Sequence, residues 1–395
     1  MGAVLLRQLT SLRASGLRAA SINSATTRGL LIQAIALVVV GGIVWYFVAN
    51  VARNLDLRGI ATGFSFLNRE AGIPISESVV PYSPRDSYGF ALLVGILNTL
   101  KVATIGIVLA TILGTTVGLA RLSQNWLLAR VSAVYVEVLR DIPLLLQLVF
   151  WYALLQGLPA ARQALNPIPG VFLSNRGLML PKLDIGLAHI VILALAAAGI
   201  ILTIGSYRRH RVTARGGLTI MLVGALSIAV PIWLWIHLGL AIAVEWPVLR
   251  GFNFRNGLSL SPELFALLFG LVTYTSAFIA EIVRSGILAV GNGQREAGRA
   301  LGLSEGAIMR KIILPQASVL IVPPLTSQFL NLTKNSSLAV AIGYQDIVSV
   351  ANTTLNQTGQ AIEGIGIIMA VYLSVSITIS GFMSWYNARV ALVER

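Results

Sequence analysis

Long apolar runs separated by short polar segments dominate the chain. A run of about 20 apolar residues is long enough to cross a bilayer as a helix, in which every backbone polar group finds a partner within the segment. The ten-residue alternating segments typical of a membrane β-barrel are not visible. The pattern therefore predicts an all-α integral membrane protein with eight transmembrane helices, at residues 30–49, 90–119, 134–156, 185–204, 218–241, 262–288, 318–341 and 364–387.

One polar stretch between two of these runs, Gly293–Gln316, is dense in charge. Its charged residues are Arg295, Glu296, Arg299, Glu305, Arg310 and Lys311. The helix formers in it predict a short helix that ends at Gly302 and a second that begins at Ser304. Pro315 is predicted to close the segment, because a proline cannot donate into a continuing helix. A short helical hairpin with little of its own to pack against indicates a partner protein.

Composition supports the membrane assignment and excludes several kinds of chemistry. The chain is 56% hydrophobic and only 11% charged, whereas soluble domains carry about 25% charged residues. It has no cysteine, which excludes disulfides, thiolate metal sites and cysteine nucleophiles. Its three histidines, His189, His210 and His237, are too scattered to predict a metal site.

The distribution of charge sets the orientation. With the N-terminus in the cytoplasm, the inner segments hold sixteen basic and three acidic residues, and the outer segments hold nine of each. This asymmetry follows the positive-inside rule and places both termini in the cytoplasm. The net charge of +14 is therefore mostly topology, and its dispersal among loops argues against nucleic-acid binding.

The polar segments divide the chain into regions. Residues 1–88 comprise a basic tail, the first transmembrane helix and an external linker; the tail, residues 1–29, is predicted to lie on the inner membrane surface, with an organellar transit peptide as the alternative. Residues 89–388 form the main transmembrane body. Within this body, residues 159–260 are predicted to be an insertion that consists of an external loop and two helices with almost no intramembrane charge. Residues 389–395, after the body, form a short cytoplasmic tail.

Charged residues inside or near the spans are functional candidates. Arg140 and Asp141 lie three and four positions after Glu137, and Arg284 lies three positions after Glu281. These five residues are predicted to form structural or gating ion pairs, while Lys101 is predicted to be interfacial. Lys334 is deeper in its span, after the Pro323-Pro324 break. It either faces a translocation path or holds two helices together, together with its polar neighbours Asn331, Asn335, Ser336 and Ser337.

Enzyme motifs are absent from the sequence. It contains no GxxxxGK[ST] nucleotide loop, no HExxH zinc motif and no GxSxG nucleophile elbow. The chain is therefore predicted not to be an enzyme or to hold a cofactor, and any energised work draws on another subunit.

Several motifs, in order, resemble those of ABC importer permeases. The segment that begins at Glu296 is similar to the EAA loop of that family, with glycine in place of the third alanine. It reads EAG, three residues, G, nine residues, I, one residue and LP. The strings TSAFIAEIVR from Thr275, YxExxRxxPxxxQ from Tyr135 and KNSSL from Lys334 are similar to the polar amino-acid branch. Asp141-Ile142 departs from the small polar pair usual before the proline in the second of these. The insertion is similar to that of the longer permeases of glutamate/glutamine/aspartate and general amino-acid importers.

The resemblance implies a type I ABC importer transmembrane domain in a bacterial inner membrane. It also implies a cytoplasmic ATPase dimer that binds ATP and magnesium, a periplasmic amino-acid-binding protein and a second, different permease. The implied ATPase-coupling residues are Glu296, Ala297, Gly298, Arg299, Ala300, Leu301, Gly302, Leu303 and Pro315, with the small residues allowing close approach of the ATPase.

Three functions remain open from the sequence. A structural or regulatory membrane anchor would show no transport defect when deleted. The predicted function is the permease subunit of an ATP-driven importer of polar or acidic amino acids. The alternative is a secondary amino-acid transporter without an ATPase, which predicts paired broken helices in two related halves; no such internal symmetry is visible in the sequence.

Overall fold

The computed structural model describes residues 25–57, 59, 62–184, 186–210, 217–240 and 243–390. Most of the predicted interfacial tail and most of the C-terminal tail therefore lie outside the described residues. The described helices are α1 (Ala25–Leu57), α2 (Tyr88–Ala120), α3 (Trp126–Asp141), α4 (Leu144–Gln156), α5 (Leu187–His210), α6 (Gly217–His237), α7 (Pro262–Leu288), α8 (Asn292–Ala300), α9 (Glu305–Ile308), α10 (Leu314–Asn335), α11 (Ile347–Thr358) and α12 (Ala361–Val390).

The helical membrane architecture predicted from hydropathy is confirmed. Six of the described helices are long and apolar enough to cross a membrane, or seven if the bent pair α3 and α4 forms one span. Helix α6 adds a shorter apolar segment, Leu222–His237. The predicted count of about eight agrees with this set.

The chain forms two compact units. The smaller unit comprises the chain up to residue 66 together with residues 354–364, and within it the backbone N–H of Gly63 donates to the carboxylate of Glu363 at 2.5 Å. The larger unit comprises residues 67–353 and the chain from residue 365. It contains the predicted coupling loop, the candidate path residues and the insertion.

Close packing of α2 against α7 forms the centre of the larger unit. Ala110, Gly114 and Gly118 of α2 are buried and lie four residues apart, on one face of the helix. A Cβ atom added at Gly114 would lie 2.6 Å from the Cβ of Ile279, and one at Gly118 would lie 2.7 Å from the carbonyl oxygen of Ala280. Small residues at this spacing let two membrane helices approach to backbone contact.

A sharp break interrupts the span predicted at 134–156, and the prediction of one continuous helix there was wrong. Helix α3 ends at Asp141, α4 begins at Leu144, and the two are bent by 103°. Pro143 cannot donate a backbone hydrogen bond at the break. The side-chain amide of Gln147 instead donates to the carbonyl oxygens of Leu139 at 2.9 Å and Ile142 at 3.0 Å. This pairing satisfies carbonyl groups that the break would leave exposed to lipid.

A tyrosine of the same motif joins α3 to α7. The hydroxyl of Tyr135 donates to the carbonyl oxygen of Thr273 at 3.2 Å and lies 2.7 Å from the hydroxyl of Ser276. Ser276 is fully buried, so the hydrogen bond forms inside the helix contact. The tyrosine, proline and glutamine of this motif therefore have structural roles in shaping and anchoring the bent pair.

The inserted region contains short β-strands where the sequence predicted only an external loop. The strands are β1 (Leu165–Ile168), β2 (Val171–Ser174), β3 (Gly177–Leu180), β4 (Lys182–Asp184), β5 (Ala243–Glu245), β6 (Val248–Arg250), β7 (Asn253–Arg255) and β8 (Leu258–Leu260). They form an antiparallel sheet in the order β1-β2-β3-β8 and two antiparallel pairs, β4-β5 and β6-β7. The β3-β8 and β4-β5 pairings join the two ends of the insertion, and we call these strands and their turns the β-module.

A glutamate of the external linker ties three parts of the larger unit together. One carboxylate oxygen of Glu77 accepts a hydrogen bond from the ammonium of Lys101 on α2 at 3.0 Å. The other accepts a hydrogen bond from the backbone N–H of Ser261 at 2.8 Å. Ser261 is also the N-cap of α7, where its hydroxyl accepts the N–H of Leu264 at 3.1 Å. The linker thus anchors α2 and the start of α7 at the same point.

Candidate functional site

The predicted coupling loop folds as the short helices α8 and α9, separated by a tight turn. The N–H of Leu303 donates to the carbonyl of Gly298 and that of Gly302 to the carbonyl of Arg299, which is the Schellman pattern that closes a helix. Gly302 adopts φ +73°, as this turn requires. The hydroxyl of Ser304 accepts the N–H of Ala307 and begins α9. The predicted end at Gly302 and start at Ser304 are confirmed.

The glycine that replaces the third alanine of the loop faces the chain's own helices. Gly298 is buried, and an added Cβ would lie 2.8 Å from Cγ1 of Ile308 and 3.2 Å from Cδ1 of Ile312. The expectation that Gly298 provides close approach for a partner protein is therefore wrong, since its surface is already covered. It allows α8 to pack tightly on the segment that follows.

The opposite surface of α8 is open. Glu296, Ala297 and Ala300 are exposed, and the side chain of Leu301 at the helix end is 77% exposed. Across the turn, the guanidinium of Arg299 contacts the carboxylate of Glu305 at 2.6 Å, and both side chains are largely exposed. An apolar knob with small neighbours and a charged rim is the composition expected of a protein docking surface.

The coupling loop continues directly into a membrane helix. The prediction that Pro315 closes the segment was wrong, because a π-helical stretch, Met309–Ile313, leads into α10 and places Pro315 in the first turn of that helix. A proline is tolerated there because it lies where the helix begins and does not interrupt an established ladder. The amide of Gln316 on α10 also donates to Gln294 on α8 at 3.4 Å. Helices α8, α9 and α10 are therefore mechanically connected.

We predict that Gly302→Val weakens the turn between α8 and α9. A β-branched residue at φ +73° costs about 1–2 kcal/mol in local strain. The cost falls on a surface hairpin, so the purified chain should keep its melting temperature while stimulation of a partner ATPase decreases. Gly306→Val is the matched control, because Gly306 is a nearby glycine without positive φ and with no atom within 4 Å of an added Cβ. Equal loss in both variants would contradict the role assigned to the turn.

Helix α10 presents a polar face that the described part of the chain does not cover. Ser327, Asn331 and Lys334 are exposed and lie four and three residues apart, which places them on one side of the helix. Among the described residues, neither the ammonium of Lys334 nor the side-chain amide of Asn331 has a hydrogen bond or ion pair. Polar groups on a membrane helix are stabilised by water or by a partner chain, which makes this face the candidate for an aqueous path or a second protein.

The remaining candidate path residues divide into two groups. Asn335 is half-buried, and Ser337 donates to the carbonyl of Lys334 at 2.7 Å at the exposed end of the helix. Ser336 is buried, and its hydroxyl donates to the carbonyl of Thr333 at 2.7 Å. Ser336 therefore does not share the exposed face, contrary to its assignment to the path, and serves to hold the junction after α10.

A buried polar junction follows this point. Asn98 on α2 donates to the carbonyl of Gln345 at 2.9 Å, and the hydroxyl of Thr99 accepts the N–H of Ile347 at 3.1 Å. Asp346 is almost completely buried and accepts the N–H of Ser349 at 2.9 Å. Burial raises the pKa of the Asp346 carboxyl to about 7. The sequence analysis missed Asp346 as a buried carboxyl, because it stands in a short segment between helices.

An ion triad connects α7 to the end of α2. Glu281 contacts Arg284 on the same helix at 2.6 Å and also pairs with Arg121, which follows the last residue of α2. The Glu281–Arg284 pair was predicted from its spacing, and Arg121 was not, because it is 160 positions away. The triad lies near the end of α7 that leads into the coupling loop.

The predicted pairing on α3 does not form within the described residues. Glu137, Arg140 and Asp141 are all exposed, and no ion pair joins them. The guanidinium of Arg140 lies 5.0 Å from the ring centre of Phe278 on α7, in cation–π geometry. The spacing along α3 allowed an ion pair with Glu137, but the guanidinium of Arg140 instead contacts the ring of Phe278 on the neighbouring helix α7.

These features are those of the membrane component of an importer. The chain belongs to the family of binding-protein-dependent transport system inner membrane components, whose model matches residues 103–391. The match covers α3 to α12 and most of α2.

Three relatives align over nearly their whole length. The chain is 48% identical to the Escherichia coli K12 protein YhdX, described as a putative amino-acid ABC transporter permease, over 95% of this chain and 97% of that protein. It is 45% identical to AapQ, a general L-amino acid transport system permease of Rhizobium johnstonii, over 93% of each. It is 39% identical to BztB, a glutamate/glutamine/aspartate/asparagine transport system permease of Rhodobacter capsulatus, over 93% of this chain and 95% of that one.

Proposed function

We propose that the chain is the membrane permease subunit of an ATP-driven importer of polar or acidic amino acids, with both termini in the cytoplasm. All three relatives are described as amino-acid permeases, and the description of BztB as a glutamate/glutamine/aspartate/asparagine permease supports the polar or acidic substrate class. The chain works with a cytoplasmic ATPase dimer, which binds ATP and magnesium, with an amino-acid-binding protein outside the membrane and with a second, different permease.

The observation that carries this proposal is the rigid link between an exposed docking surface and a polar membrane helix. Leu301 at the end of α8 and its small neighbour Ala300 are exposed, while Gly298 is buried and packs against Ile308 of the segment that leads into α10. A rigid movement of α8 is therefore transmitted to α10. Since α10 carries the polar face with Asn331 and Lys334, closure and opening of the ATPase dimer would move the face that borders the path.

The uncovered polar face of α10 supports the proposal that a second permease packs against this chain. A helix with unpartnered polar groups is costly against lipid, whereas a homologous permease placed against α10 encloses the face in a shared aqueous path. The ammonium of Lys334 then meets substrate carboxylates from one side of that path.

The function is tested by reconstituting the complex that copurifies with the chain and measuring uptake and ATP hydrolysis. The expected result is ATP hydrolysis stimulated by the binding protein loaded with an acidic or polar amino acid, and uptake that requires the ATPase subunit. Uptake that persists without the ATPase would contradict the proposal and favour a secondary transporter.

We predict that Lys334→Met raises the KM for amino-acid uptake about tenfold, because a charge-assisted hydrogen bond to the substrate contributes about 1.5–3 kcal/mol. The matched control is Lys182→Met, which removes an exposed lysine of the β-module. Uptake kinetics in vesicles provide the measurement, with complex assembly checked by size-exclusion chromatography. Wild-type KM in an assembled Lys334→Met complex would remove Lys334 from the path and leave it a role in helix packing.

A further inference from the structure

One face of the β6-β7 hairpin carries two arginines. Val248 pairs with Arg255 and Arg250 with Asn253, so these four side chains lie on the same face, and all four are exposed. On the other face, Phe254 is buried in a small core, while its cross-strand partner Leu249 is exposed. The direction of Arg250 and Arg255 is therefore fixed by the strand register.

A third arginine is held at the turn of the same hairpin. Nε of Arg162 donates to the carbonyl of Gly251 at 3.2 Å, and the guanidinium lies 3.9 Å from the ring centre of Phe252. The ring of Phe252 is itself 71% exposed. We call Arg162, Arg250, Arg255 and Phe252 the arginine hairpin.

The charge of the arginine hairpin is not neutralised by the described part of the chain. None of its three guanidiniums makes an ion pair with a described residue. The β-module, residues 159–184 and 243–260, contains five basic and two acidic residues, and one of the acids, Glu245, contacts Lys182 at 3.9 Å. Arg250 and Arg255 occupy diagonal positions about 7–8 Å apart, where like charges repel. The two arginines therefore do not stabilise the folded hairpin through each other, and their positive charge is available to an external partner.

The arginine hairpin and the coupling loop lie on opposite sides of the membrane. Strand β8 ends at Leu260, next to the start of α7 at Pro262, and the far end of α7 leads into α8. A helix of 27 residues extends about 40 Å, enough to cross the bilayer. With the coupling loop in the cytoplasm, the hairpin faces the outside, where the ATPase has no access.

We propose that the arginine hairpin docks a carboxylate-rich surface of the importer's amino-acid-binding protein. This inference rests on the proposed function, and it assigns a role to the insertion, not to the common transmembrane body. Guanidinium groups pair bidentately with carboxylates, and arginine with an exposed aromatic ring is the composition enriched at protein interfaces. The preformed contact between Arg162 and Phe252 favours a protein partner over phospholipid phosphates, which need only accessible positive charge.

The test compares Arg250→Glu/Arg255→Glu with wild type in the full reconstituted complex, using the copurified binding protein loaded with amino acid. The concentration of binding protein that gives half-maximal ATP hydrolysis should rise about tenfold or more, because charge reversal slows association and removes its salt dependence. The maximal rate should remain unchanged, since neither arginine touches the coupling loop or the path. Arg176→Glu is the matched control, since Arg176 is an exposed arginine at the β2-β3 turn of the same module, and it should behave as wild type.

Three results would overturn the inference. The first is half-saturation of the double variant at the wild-type concentration of binding protein. The second is an unchanged response to the binding protein together with a lost dependence of ATP hydrolysis on the phosphatidylglycerol content of the reconstituted membrane, which would assign the hairpin to lipid. The third is a wild-type complex whose ATP hydrolysis does not respond to the binding protein, which would remove the proposed function as well. If the wild-type complex responds to the binding protein and the double variant responds equally, only the inference about the arginine hairpin is contradicted, and the proposed function stands.

Discussion

Replacing Leu301 by glutamate is expected to abolish stimulated ATP hydrolysis while leaving the permease itself folded. The Leu301 side chain is 77% exposed, so the chain loses almost no packing when it is changed. Burial of a leucine in a partner contributes about 1.5–3 kcal/mol, and an unpaired carboxylate in the same pocket adds a desolvation cost. Association with the ATPase should weaken about a hundredfold or more. The measurement is ATPase copurification and stimulated hydrolysis in the reconstituted complex.

The control at the same position is Leu301→Met, which keeps an apolar side chain of similar volume. This variant should retain most of the stimulation. Two outcomes would argue against docking through Leu301. One is normal stimulation in Leu301→Glu, and the other is equal loss in both variants with a lowered melting temperature, which would indicate that Leu301 stabilises the chain.

Replacing Gly114 by valine is expected to prevent assembly of the larger unit. A Cβ atom at this position would lie 2.6 Å from Cβ of Ile279 and 2.8 Å from the carbonyl oxygen of Ser276. Neither atom is the end of a flexible side chain, so α2 and α7 must separate. Overpacking of a core typically costs about 1–3 kcal/mol and more where the backbone must shift, and here the shift opens the central helix contact. We expect little folded protein in the membrane fraction and a markedly lower melting temperature.

Gly381→Val provides the matched control for this effect. Gly381 is a glycine of the apolar helix α12, and no atom lies within 4 Å of an added Cβ. This variant should accumulate and melt as the wild type does. Similar losses from both substitutions would show that valine in a membrane helix, and not the α2–α7 contact, causes the defect.

The positions of the membrane helices could be predicted because hydropathy is a local property of the sequence. The break in the span at 134–156 was missed although Pro143 marks it, because the apolar run continues on both sides. Its stabilisation depends on Gln147 reaching back to carbonyls of α3, which is visible only after folding. The β-strands were missed for a related reason, since strands of three or four residues are too short to show an alternating pattern.

The candidate site was predictable in outline and not in orientation. Spacing located the coupling loop and its turn at Gly302, but it did not reveal that Gly298 faces Ile308 inside the chain. The second partner of Glu281, Arg121 at the end of α2, comes from a distant part of the sequence. The absence of an ion pair at Glu137 likewise depends on the neighbouring helix, where Phe278 contacts Arg140. Each of these contacts depends on tertiary packing, which local sequence patterns do not predict.

The central claim is that α8 docks on an ATPase subunit, and site-directed cross-linking tests it most directly. The chain has no cysteine, so Ala300→Cys introduces a unique thiol on the exposed surface of α8, to which a benzophenone-maleimide can be attached. Illumination of the assembled complex should give a covalent adduct of permease and ATPase, identified by mass spectrometry, while Gly381→Cys on α12 should give none. A copurifying ATPase that never forms an adduct with the probe at position 300 would contradict the account.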